Sequence, residues 1–68
     1  MLTKSQLQTC ALFIRQATAS VDWVRMMFFG AGESATAARL QEITYKLTDE
    51  AKAIHALIPS APDSVGHA

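Results

Sequence analysis

The chain has 68 residues, which predicts a single small domain. Half of the residues are hydrophobic, and this excludes a wholly disordered chain. Six Lys and Arg residues balance six Asp and Glu residues. A net charge of zero argues against nucleic acid as a partner, because a ligand held through its phosphates needs a cluster of cations.

The first predicted element is a helix over residues 3–29. Thr3 and Gln6 have the spacing of a capping box, in which each side chain bonds the other residue's backbone. From there apolar side chains recur every three or four residues, the period of a helix with one apolar stripe. The helix is expected to end in a turn at 30–33, where a glycine in the left-handed conformation closes it.

A second helix is predicted over residues 34–58. Gly32 or Ser34 is the expected N-cap, since both residue types favour that position. The helix stops before Pro59, because a residue that precedes proline is pushed out of helical space.

The two predicted helices have matched lengths and a short connection, which is typical of an antiparallel helical hairpin. The sequence therefore predicts an all-α hairpin over residues 1–58. Residues 59–68 hold two prolines, a glycine and little that could be buried. They are predicted to form a flexible C-terminal tail.

A hairpin of this size needs a disulfide, a metal or a second copy to complete its core. Cys10 is the only cysteine, and it has no zinc-site spacing with His55 or His67. Oligomerisation remains, so the hairpin is predicted to dimerise into a four-helix bundle. The predicted dimer core consists of Leu7, Ile14, Val21, Phe28, Leu40, Leu47 and Ile54.

No group of residues in the sequence predicts an enzyme. Cys10 lies in the apolar stripe and lacks the cationic neighbour that a reactive thiolate needs. His55 has no carboxylate three or four positions before it, as a metal ligand or general base would require. We therefore expect no catalytic residue, no cofactor and no metal.

A run of large apolar residues near the end of the first helix predicts a protein-binding surface. Trp and Arg are enriched at binding hot spots, and Met adapts to irregular partner surfaces. At about 100° per residue, Trp23, Met26 and Met27 lie close enough to form one patch with charged residues at its margin. The alternative is that these side chains close the end of the bundle. The predicted partner-binding residues are Arg15, Asp22, Trp23, Arg25, Met26, Met27 and Phe29.

Two resemblances bear on function. Phe13–Arg15 followed by Thr18 resembles the first helix of the Rop family of RNA-binding hairpin dimers. The basic face of that family is not reproduced, because the surrounding positions carry no lysine: Thr9, Gln16 and Ala17. In size and format the chain also resembles small phage-encoded inhibitors of host proteins, including anti-activators of quorum-sensing regulators. That likeness includes no motif, so it transfers no functional residue.

The sequence thus predicts a non-enzymatic regulator or inhibitor that acts as a homodimer and binds a second protein. A phage-type anti-activator of a host transcriptional regulator is the specific form of this prediction. The alternatives are a Rop-like RNA-binding bundle and a purely structural oligomerisation module. Arg15, Asp22 and Arg25 interrupt the apolar run, so no membrane span is expected. The unpaired cysteine predicts a cytoplasmic location.

Overall fold

The computed structural model describes residues 1–63, and they form two antiparallel α-helices. Helix α1 spans Lys4–Gly30, helix α2 spans Ser34–Leu57, and a 3-10 turn covers Ile58–Ser60. The predicted all-α hairpin is confirmed. Over the described range, neither helix has the combination of length and apolar character that crossing a bilayer requires.

The predicted capping box at the start of α1 is confirmed. The Gln6 backbone N–H donates to Thr3 Oγ1 at 3.1 Å, and the Thr3 backbone N–H donates to Gln6 Oε1 at 2.9 Å. These bonds satisfy backbone groups that a helix N-terminus otherwise leaves unpaired. Because Thr3 is buried, water cannot easily replace them.

We expect Thr3→Ala to lower the free energy of unfolding by about 1 kcal/mol, because the cap bond is lost. Urea denaturation at one protein concentration, followed by circular dichroism, measures the change. Thr9→Ala is the matched control, since Thr9 is exposed and its hydroxyl donates only to the Ser5 carbonyl of its own helix. Equal losses in the two variants would contradict the role given to the cap.

A glycine in the left-handed conformation forms the turn between the helices. Gly32 has a φ of 84°, and its N–H donates to the Phe29 carbonyl at 3.1 Å. The Glu33 N–H donates to the Phe28 carbonyl at 2.9 Å, which completes a Schellman motif. Because Gly32 belongs to the end of α1, the N-cap of α2 is Glu33, without a side-chain cap bond. The predicted cap at Gly32 or Ser34 was wrong.

Small side chains fill most of the seam between the helices. Their size lets the two backbones approach closely, which tightens the packing along the seam. Thr44 is also buried, and its hydroxyl donates to the Gln41 carbonyl at 2.7 Å, so the polar group is satisfied. The buried apolar residues among those described are Leu7, Ala11, Ala37 and Ala51.

The start of the predicted tail packs against the start of α1. The Lys4 backbone N–H donates to the Pro62 carbonyl at 2.9 Å, and Lys4 Nζ lies 3.2 Å from Asp63 Oδ1. The first N–H groups of a helix need acceptors from outside it, and Pro62 supplies one. Within residues 59–63, Pro62 and Asp63 thus make defined contacts with the start of α1. The rest of the predicted tail, 64–68, lies outside the described residues.

Candidate protein-binding surfaces

One broad side of the hairpin is apolar on both helices. At about 100° per residue, the apolar residues that are not in the seam collect on one side of each helix. Because the helices are antiparallel, these two sides face the same direction. We call this surface the apolar face. Its members are Cys10, Phe13, Ala17, Val24 and Phe28 on α1, and Leu40, Ile43, Leu47, Ile54 and Leu57 on α2.

The opposite side of the hairpin carries a polar groove of about 470 Å³ between the helices. Charged and hydroxyl side chains line it together with two alanines, whereas large apolar side chains predominate on the apolar face. The two broad sides of the hairpin therefore present unlike chemistry to a partner. The groove is lined by Arg15, Thr18, Ala19, Asp22, Thr48, Ala51, Lys52 and His55.

The residues predicted as the dimer core lie in the seam or on the apolar face. Leu7 is buried within the single chain at 6% exposure, whereas Phe28 keeps 39% of its surface exposed. Partial burial leaves apolar surface in water, which is unfavourable unless another surface covers it. The half-buried members of this set are Ile14, Val21, Leu40, Leu47 and Ile54.

Ala11 and Thr44 are buried although the sequence did not predict it. A threonine in an apolar seam is unexpected from hydropathy alone. Its position in the helix indicates burial, because Thr44 lies seven residues after Ala37 and seven before Ala51, and both alanines are buried. The same spacing links Ala11 to Thr18, which is half-buried.

Four of the predicted partner-binding residues lie together on α1. Trp23, Met26, Met27 and Phe29 are between 57% and 67% exposed. Trp23 is three residues from Met26 and four from Met27, and Met26 is three from Phe29, which places them on neighbouring turns of the helix. We call them the outer patch. Met27 also lines a hollow of about 270 Å³ beside Phe28, so it joins the outer patch to the apolar face.

The three charged residues predicted at the margin of this patch lie on the same helix. Arg25 Nε and Nη2 are each 2.8 Å from Asp22 Oδ1, and this half-buried pair lies beside the seam. Arg15 lines the polar groove together with Asp22. The structure therefore uses Asp22 and Arg25 in an ion pair within the helix.

Cys10 and His55 lie on opposite sides of the hairpin, on the apolar face and in the polar groove respectively. Among residues 1–63, no three His, Cys, Asp or Glu side chains converge as metal ligands would. His67 lies outside this range. In comparisons with known proteins, no family model, no curated protein and no solved structure matches the chain. A functional conclusion therefore depends on the surfaces of the hairpin itself.

Proposed function

We propose that the protein is a non-enzymatic regulator that acts as a homodimer and works by binding a second protein. The observation that supports this is the division of its exposed apolar side chains between two surfaces, the apolar face and the outer patch. Exposed apolar surface of this extent is characteristic of protein interfaces. Because the apolar face and the outer patch differ in shape and position, we infer that each binds a different partner.

The apolar face is the surface that suits a second copy. It involves both helices along most of the hairpin and continues directly from the half-buried seam residues. A second hairpin packed against this face would form a four-helix bundle. It would cover the parts of Ile14, Leu47 and Ile54 that remain exposed in the single chain. Each copy would cover the same surface of the other, as a two-fold interface requires.

The outer patch suits a different protein. Trp23 and Met26 point away from the apolar face, so the proposed dimer leaves them accessible. An exposed Trp beside two Met side chains has the composition of a binding hot spot that adapts to its partner. A small protein that covers a functional surface of a larger protein inhibits the larger protein by blocking that surface. The specific form we propose is a phage-type anti-activator bound to a host transcriptional regulator.

The test is capture of host proteins with three forms of the tagged chain: wild type, Trp23→Ala and Tyr45→Ala. Tyr45 is the matched control, because it is an aromatic residue with 62% exposure on α2, away from the outer patch. The proposal predicts a host protein that the wild type and Tyr45→Ala retain and Trp23→Ala loses. Equal retention by all three contradicts the placement of the site. Loss of all binding on nuclease treatment would favour an RNA-binding bundle instead.

A further inference from the structure

The polar groove carries cations from both helices. Arg15 on α1 and Lys52 on α2 both line it, and both are exposed. Neither forms an ion pair within residues 1–63, and this includes Lys52 with Asp49, three residues before it. The carboxylate that lines the groove, Asp22, is already bound by Arg25 at 2.8 Å. Within the described residues, the groove therefore holds two cations that have no ionic partner.

The threonine hydroxyls of the groove are hydrogen-bond acceptors toward a ligand. Thr18 Oγ1 donates to the Ile14 carbonyl at 2.8 Å, and Thr48 Oγ1 donates to the Thr44 carbonyl at 2.9 Å. Because a hydroxyl has only one hydrogen, each of these oxygens is left with lone pairs alone. The groove thus combines cationic donors with neutral acceptors.

This combination distinguishes two classes of anionic ligand. The phosphates of a nucleic acid supply acceptor oxygens only, so they would leave the hydroxyl oxygens of Thr18 and Thr48 without a donor. A peptide with acidic side chains supplies carboxylates for the cations and backbone N–H groups for the acceptors. An acidic peptide therefore suits the groove better than the phosphates of a nucleic acid do.

The polar groove and the outer patch are neighbours on α1. Ala19 lines the groove and lies four residues before Trp23, so the two residues occupy adjacent turns of the helix. Asp22, which also lines the groove, has the same spacing to Met26. A protein bound to the outer patch therefore lies within reach of the groove.

We propose that the polar groove binds an acidic segment of the same protein that binds the outer patch. The proposal rests on the proposed function and adds the chemistry of the partner. Arg15 and Lys52 bind carboxylates of the segment, whereas Thr18 and Thr48 accept hydrogen bonds from its backbone. Because the groove lies opposite the apolar face, the proposed homodimer leaves it open.

A labelled peptide of six glutamates tests the groove without the partner. Fluorescence anisotropy at low salt measures its binding to the wild type, to Arg15→Gln with Lys52→Gln, and to Arg39→Gln with Lys46→Gln. The second pair is the matched control, because its residues are exposed, lie outside the groove and change the net charge equally. We expect the groove pair to weaken binding about tenfold and the control pair to change it by less than about twofold. Equal losses, or no binding to the wild type, overturn the proposal.

A second measurement needs no substitution. A labelled thymidine oligonucleotide with six phosphates carries about the same charge as the peptide, and we expect it to bind the wild type at least about threefold more weakly. Equal or tighter binding of the oligonucleotide overturns the acidic peptide as the ligand.

The outcome of partner capture separates this proposal from the proposed function. A host protein captured through Trp23 by a chain that does not bind the peptide overturns the role of the groove and leaves the proposed function standing. A chain that binds the peptide but retains no host protein contradicts the proposed function instead.

Discussion

Leu47→Asp is expected to unfold the chain instead of releasing a folded monomer. Leu47 is half-buried in the single hairpin and lies where the second copy would bury it further. An unpaired charge in such a seam costs about 3 to 5 kcal/mol, a large part of the stability of a small domain. Ile14→Asp should act in the same way, since Ile14 is half-buried in the other helix.

Circular dichroism across a range of protein concentrations measures this effect. Thr48→Asp is the matched control, because Thr48 is the next residue, is exposed and lines the polar groove. It is expected to change the free energy of unfolding by at most about 0.5 kcal/mol. A Leu47→Asp chain that stays helical as a monomer would contradict the account of the core.

Trp23→Ala is expected to weaken binding of the captured partner by at least about 2 kcal/mol. Because Trp23 is largely exposed and turned away from the apolar face, the same change should leave the helicity and melting temperature of the dimer almost unaltered. Met26→Glu should have a similar effect, since it adds a charge beside Trp23 on an apolar surface.

Titration calorimetry with the purified partner measures the binding, and thermal unfolding of the same samples measures stability. Tyr45→Ala again serves as the control and should leave both quantities unchanged. If Trp23→Ala melts the dimer, the outer patch belongs to the core. If binding persists at full strength, the partner surface must be sought elsewhere, beginning with the exposed side of α2 around Arg39, Glu42, Tyr45 and Lys46.

The hairpin itself could be predicted because its signals are local. Thr3 and Gln6 form a cap within one turn, and Gly32 closes α1 through backbone bonds to residues just before it. The apolar period is likewise a property of neighbouring residues. Each of these features depends on spacing that can be read directly along the chain.

The contacts that could not be predicted join distant parts of the chain or depend on the direction of a side chain. The bond between Lys4 and Pro62 joins the start of α1 to the segment that follows α2, and no periodic pattern in the sequence predicts it. The pairing of Arg25 with Asp22 had a signal, because the residues are three apart on one helix. Which surface a second protein covers depends on that protein, so one chain alone cannot encode the answer.

The mass of the unmodified protein in solution shows directly whether the hairpin is a homodimer. Sedimentation equilibrium at micromolar concentration, with helicity recorded on the same samples, gives it without any substitution. We expect twice the mass of one chain, with dissociation on dilution accompanied by loss of helix, because the hairpin lacks a complete core of its own. A stable, helical monomer at that concentration would contradict it.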